Sequence, residues 1–390
     1  MQDVVLGPWA KSFPPSSWGA SSSEFLATKP RLSAFLTPLI TIDRGAAAHN
    51  VALMAEWVAA RGFEIAPHGK TTMAPQLWQQ LLERGAWGIT LATAWQVQLA
   101  RSFGISRIIM ANELIDPVAL RWLGAELADL GFEFLCWVDS VEAVELMRAG
   151  LKGGAARPVD VAIELGGAGG RTGARSMQAA LAVASAVQAA PELRLAGVAG
   201  YEGSYAENRR DSSVVAVRRF LDDIVAMHDA VQWEDRPIVT AGGSAFFDLV
   251  AEALSPLVAR ATVILRSGAY QLHDEGFYSE LTPLAALRPA VHGWARVISR
   301  PKPGLAIMDG GKRDFPYDLG LPTTRHGAVT KVNDQHSYLA TNDDSPALGD
   351  ILRLGMSHPC TALDKWRAIP VIDDADADDP LVLDVVQTYF

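Results

Sequence analysis

The chain has 390 residues, 49% of them apolar, and a formal net charge of −10 with a pI near 5.3. That length exceeds one comfortable core and predicts one large domain with a smaller one, while the acidic balance, unrelieved by any Lys/Arg block, argues against a nucleic-acid partner. No run of about 18 uncharged apolar residues offers a membrane span, the N-terminus lacks a basic region followed by an apolar one, and Cys136 and Cys360 sit in unlike contexts. A soluble cytoplasmic protein with reduced thiols, without membrane partners, is expected.

Residues 1–42 are Ser/Pro-rich up to Ser23 and then more apolar, so they are expected to form an arm and strand packed on a C-terminal β domain. Over residues 43–284 short apolar runs alternate with stretches of helical length, the pattern of repeated βα units. Eight strands are predicted: Phe63–His68, Gly88–Ala92, Arg107–Ala111, Phe132–Val138, Val159–Leu165, Leu195–Gly200, Pro237–Ala241 and Thr262–Arg266. Helical spacers fit before and between them, from Ala46–Ala60 to Ala245–Leu254. Eight strands in series predict an α/β fold with a (β/α)8 TIM-like barrel. The runner-up, an open doubly wound sheet, wants a glycine fingerprint after its first strand, and His68-Gly69-Lys70-Thr71-Thr72 is not one. Over residues 285–390 short alternating segments, such as Val291–Ser299, Ala328–Val332 and Leu381–Val386, predict a mainly-β domain. The acidic run Asp373–Asp379 reads as a solvated turn.

Catalytic groups of such a barrel collect at the C-terminal ends of its strands. The first strand delivers Lys70 into a small-residue turn, where it is a Schiff-base candidate. The fifth runs into Gly166-Gly167-Ala168-Gly169-Gly170-Arg171, in which glycines admit a ligand close to the backbone and Arg171 can donate to an oxyanion. The seventh ends at Gly242-Gly243-Ser244, ahead of a helix N-terminus with free amides, a phosphate site. The eighth ends in Arg266-Ser267-Gly268-Ala269-Tyr270, which can close the same cup. Far along the chain, His358-Pro359-Cys360 sets an imidazole and a thiol two residues apart, a pair suited to a divalent metal.

These motifs, in this order and over nearly the whole chain, resemble the alanine-racemase-like (fold-type III) pyridoxal phosphate enzymes, specifically the D-serine dehydratase and D-threonine aldolase family. The resemblance implies that Lys70 carries pyridoxal 5′-phosphate, that Arg171 contacts the cofactor's ring oxygen, and that Gly242, Gly243 and Ser244 form the phosphate loop. It places Tyr201 near the ring, Gly268 and Tyr270 near the phosphate, and a divalent metal on His358 and Cys360. Zinc suits that pair, with manganese or another ion serving relatives. Arg266 stands where alanine racemases put an arginine against the pyridine nitrogen; that contact and a strand-end salt bridge both stay open. His273 and Asp274 are expected near the site, Asp274 as an outer partner of the metal, whereas His228, His292, His326 and His336 read as ordinary residues and Trp366 as packing.

The implied activity is metal-assisted dehydration and deamination of a D-β-hydroxy amino acid to a 2-oxo acid and ammonia, by a homodimer. Lys70 would take the α-proton while the metal polarises the β-hydroxyl. Related aldolases carry a longer histidine-rich segment before the second ligand, so the compact His358-Pro359-Cys360 favours dehydration. Retro-aldol cleavage, racemisation and a non-catalytic cofactor carrier are the alternatives. The group beyond the β-carbon stays open, with Lys312, Arg313 and Arg325 as candidates for a second carboxylate.

Overall fold

Short runs of Val, Ile and Leu from residue 64 onward become eight parallel strands in the computed structural model, which describes residues 3–167, 169–342 and 345–390. They are Glu64–Ile65, Ile89–Leu91, Arg107–Glu113, Glu133–Val138, Val159–Leu165, Leu193–Gly200, Ile238–Ala241 and Thr262–Leu265. Each of the last seven pairs with its neighbour in sequence, and the eighth pairs with the first, Glu64 opposite Ile264. The ring closes between the first and second strands: Trp87 N–H donates to Ile65 O at 2.8 Å, Thr90 N–H donates to Pro67 O at 2.9 Å, and His68 bridges Thr90. The predicted barrel is therefore closed, not an open sheet.

These strands belong to a unit made of residues 55–70 and 81–268. Its centre is apolar, built from Ala66, Ile109, Leu135, Trp137, Ala162, Ala199 and Ile264. Thr93, Asp116, Ser140 and Ser176 each accept a backbone N–H at the start of a surrounding helix, caps of about 1 kcal/mol apiece.

The other unit joins residues 3–54, 71–80 and 269–390. Its sheet runs in the order Ala328–Val332, His336–Ala340, Leu305–Asp309, Val291–Lys302, Leu39–Asp43, Ala368–Ile372, Val382–Gln387, with Ile351–Gly355 also paired to the long Val291–Lys302 strand. Pairing is antiparallel except between Leu39–Asp43 and Ala368–Ile372. Two strands escaped sequence reading. Ala368–Ile372 is buried throughout, so it shows no alternation, and Pro370 at its centre argues against a paired strand. Ile351–Gly355 is a short run interrupted by Arg353. In the N-terminal segment Phe13, Phe25 and Phe35 pack ring on ring, with centroids 5.0 to 5.9 Å apart, and Leu32 N–H donates to Pro380 O at 2.9 Å. Among the described residues no helix is long and apolar enough to cross a membrane.

Candidate active site

Strand alternation decides what faces the barrel mouth. Two residues beyond the interior positions Ala66, Ala162, Ala199 and Ile264, on the same face, stand His68, Glu164, Tyr201 and Arg266. An apolar floor thus gives way to a polar layer at the C-terminal strand ends.

Arg266 is buried, its guanidinium 5.3 Å from the Trp137 ring centroid. Its terminal nitrogens donate to Thr240 Oγ1 and to Gly200 O, both at 2.7 Å, and Nε has no partner. Both direct partners are neutral oxygens, so the strand-end salt bridge is not what holds it. Burial pushes its pKa down to about 10, so it remains a cation at neutral pH. His68 is held well below the usual imidazole range by burial and then by Lys70, Arg266 and Arg171; it is neutral, and its buried Nδ1 has no partner. Lys70 lies in the tight turn Gly69–Thr71 with its side chain exposed. Met73, three residues on, has φ +40°, a conformation that costs energy for a non-glycine residue and is often kept near sites.

Two carboxyl groups that sequence reasoning missed complete the layer. Glu113 and Glu164 share a hydrogen bond. Burial first, and Glu164 second, push Glu113 up to about 8, so the pair keeps a proton at neutral pH. Glu113 Oε1 and Glu164 Oε2 are buried without partners. The signal for Glu164 was present: it falls on the same strand face as Ala162, an inward position where a lone charge is out of place.

The Arg171 guanidinium lies 5.3 Å from the Tyr201 ring centroid. Ala168, in the same glycine-rich segment, lies outside the described residues. Gly268 is required sterically, since a Cβ there would stand 2.6 Å from His68 O. The Gly242-Gly243-Ser244 turn departs from expectation in two ways. Its helix begins at Phe247 rather than Ala245. Its amides are also not free: Gly242 N–H donates to Glu202 Oε2 at 3.0 Å, and Gly243 N–H donates to Glu202 Oε1 at 2.6 Å. Gly242 has φ +107°, a geometry that favours glycine and turns successive amides toward one anion.

In the second unit, His358 and Cys360 follow the strand Ile351–Gly355. His358 Nδ1 lies 2.7 Å from Asp318 Oδ2, Thr361 Oγ1 donates to Asp318 Oδ1 at 2.7 Å, and Thr71 Oγ1 lies 3.2 Å from Cys360 Sγ. Burial alone would push His358 down, but Cys360 and Asp318 outweigh it and push it up to about 9. Asp318 is the residue here that sequence reading missed: it stands forty positions before its histidine, in a turn with no pattern of its own. Asp274 is fully buried; Oδ1 accepts from the amides of Gly276 and Tyr278 at 3.0 and 2.9 Å, and Oδ2 has no partner. Burial pushes it up to about 7, against those amides and the charge of His358. His273 is pushed down by burial to about 4. Tyr270 is buried, which raises its hydroxyl pKa. Trp366 packs as expected, its Nε1–H donating to Asp314 O at 2.9 Å. His228 stacks on Trp233, and His292 meets Arg353 and Glu275, so both are structural. Among the described residues no three His, Cys, Asp or Glu side chains converge as a metal-ligand set.

A closed parallel barrel with a lysine in the turn after its first strand, and charged side chains layered at its mouth, defines an alanine-racemase-like protein. The model of the alanine racemase N-terminal domain matches residues 42–255, more than half of the chain, and the chain belongs to that family. A second model, the putative serine dehydratase domain, matches residues 290–372. The chain is 26% identical to a D-threonine aldolase of Arthrobacter sp. over 354 residues, 88% of this chain and 90% of that one. It is likewise 26% identical to the D-threo-3-hydroxyaspartate dehydratase of Delftia sp. strain HT23 over 358 residues, 83% of this chain and 90% of that one. Among solved structures, the D-threonine aldolase of Filomicrobium marinum superposes with a TM-score of 0.81 at 21% identity, covering 92% of this chain and 96% of that one. The Delftia dehydratase superposes with a TM-score of 0.74 at 22% identity, covering 93% and 99%. Solved structures of a D-threo-3-hydroxyaspartate dehydratase include alanine variants of a histidine and of a cysteine two positions apart, the cysteine variant in a metal-free form.

Proposed function

We propose that this chain is a pyridoxal-phosphate-dependent, divalent-metal-assisted lyase that dehydrates and deaminates a D-β-hydroxy amino acid to a 2-oxo acid and ammonia. One local observation carries the reading: Thr71, the residue peptide-bonded to Lys70, sets its hydroxyl 3.2 Å from Cys360 Sγ. The residue that follows the Schiff-base candidate in sequence thus meets the thiol suited to a metal.

The residues present fit both groups. Unpartnered buried atoms, His68 Nδ1 and Arg266 Nε, lie in the layer where a polar ring would be read. One nitrogen and one sulfur donor suit zinc, and a carboxylate on His358 Nδ1 leaves Nε2 as the ligating nitrogen. Lys70, Arg171, Tyr201, Ser244, Gly268 and Tyr270 would hold the cofactor, and His358 with Cys360 the metal. When bound, the cofactor supplies an electron sink for the α-carbanion and the metal a Lewis acid for the β-hydroxyl.

Lys70 binds the cofactor and then, as a free amine, removes the α-proton. That role requires the amine to be unprotonated when it acts. His68, half-buried and held neutral beside Lys70, Arg266 and Arg171, adds no further positive charge. Asp318 orients the His358 ring and accepts from Nδ1–H. Retro-aldol cleavage to glycine and an aldehyde is the second reading, supported by the aldolases among the relatives. A homodimer belongs to the same proposal and is read by analytical ultracentrifugation.

Borohydride reduction of the cofactor-loaded protein, followed by peptide mass mapping, tests the cofactor assignment. The pyridoxyl mass should sit on the peptide containing Lys70; its attachment to another lysine would refute it.

A further inference from the structure

Glu202 is a buried carboxylate that the proposed reaction does not use. It follows Tyr201 in the turn after the sixth barrel strand, and its exposure is 0%. Each of its oxygens accepts one of two successive amides, Gly242 N–H at 3.0 Å and Gly243 N–H at 2.6 Å. The approach is close. A Cβ on Gly243 would stand 2.9 Å from Tyr201 Cε2 and 3.4 Å from Glu202 Oε1, so this glycine admits both the ring and the carboxylate.

Arg266 supplies the compensating charge. Glu202 is the leading favourable charge acting on its guanidinium, whose terminal nitrogens are spent on Thr240 Oγ1 and Gly200 O. Arg266 therefore holds Glu202 through its field and not through a bond from those two nitrogens. A carboxylate so enclosed, stripped of its two amides, would be a buried charge short of partners and without water to turn to, a heavily disfavoured state. An incoming phosphate would gain the same two amides at the cost of stranding that charge beside its own.

Building on the cofactor reading above, we infer that Glu202 is a positioning residue for the phosphate loop. It clamps the Gly242 and Gly243 amides permanently, ties the loop to the Tyr201 turn, and leaves the cofactor phosphate to the groups that follow, Ser244 and the Gly268 turn. The two glycines shape the cup, and their amides are not its donors.

The test compares wild type with Glu202→Gln, an isostere whose single carbonyl can satisfy one of the two amides and whose NH2 cannot accept the other. Chains stripped of cofactor are titrated with pyridoxal 5′-phosphate, with pyridoxal, and with inorganic phosphate, and glycine amide resonances are followed by NMR. Glu202→Gln should lose about tenfold or more in affinity for both phosphate-bearing probes and none for pyridoxal. A fold defect would weaken all three. In wild type the Gly242 and Gly243 amide shifts should persist when pyridoxal 5′-phosphate binds. Unchanged affinities in the variant would overturn the inference and leave the cofactor reading intact. Tighter phosphate binding by Glu202→Gln, or loss of the two amide shifts on loading, would also overturn it, by showing that carboxylate and phosphate compete. If wild type fails to prefer pyridoxal 5′-phosphate over pyridoxal, the cofactor reading falls; the inorganic phosphate titration then decides the inference alone, a tenfold loss supporting it and no loss refuting it.

Discussion

Asp318 Oδ2 lies 2.7 Å from His358 Nδ1, with the opposite oxygen of Asp318 held by Thr361 at the same distance. The carboxylate orients the ring and raises its affinity for a proton and, by the same basicity, for a metal ion.

Metal binding should therefore depend steeply on pH. His358 must be neutral to ligate, and its pKa is pushed up to about 9, so protons compete with metal throughout the neutral range. Apparent zinc affinity should rise by about tenfold or more per pH unit below 9 and flatten above it, as read by competition with a chelating dye. A flat profile from pH 6 to 9 would contradict this.

Asp318→Asn should weaken metal binding by about 10- to 100-fold at high pH. The loss should shrink toward neutrality, because without the carboxylate His358 holds its proton less tightly. Metal titrations at two pH values check both statements.

Cys360→Ala should lose the metal and turnover while keeping the yellow cofactor absorbance, because the thiol is no part of the residues assigned to the cofactor. Metal analysis and an absorbance spectrum of one preparation decide it, and a colourless variant would show that the assignments are wrongly divided.

Glu113 makes a stability prediction. Its pKa is raised from 4.5 to about 8, so the folded chain holds a proton that the unfolded chain releases. The stability this contributes is fully present below about 4.5 and is lost as pH rises through about 8. Glu113→Gln should show a smaller fall in urea midpoint between pH 5 and pH 9 than wild type; an equal fall would mean that Glu113 does not titrate there.

Where each strand contributed one apolar run to the barrel interior, periodicity located all eight, and the lysine, the Arg171 segment and the His358/Cys360 pair were legible as residue types at strand ends or in a compact motif. What periodicity could not show is what approaches from a distant part of the chain. Glu202 meets Gly242 and Gly243 across forty residues, as Asp318 meets His358, and nothing local to any of them encodes the meeting. Glu164 was legible as an inward charge, but its partner Glu113 comes from two strands away, and nothing local to either marks the meeting. Ala368–Ile372 was hidden by its own burial and by Pro370.

The most direct test of the proposed reaction is NMR product analysis of the cofactor-loaded protein with D-threonine, with and without a chelator. 2-Oxobutanoate and ammonia are expected, both abolished by chelation and restored by added zinc. Glycine with acetaldehyde would contradict dehydration and move the chain to the aldol reading, and product formation unaffected by the chelator would contradict the role given to His358 and Cys360.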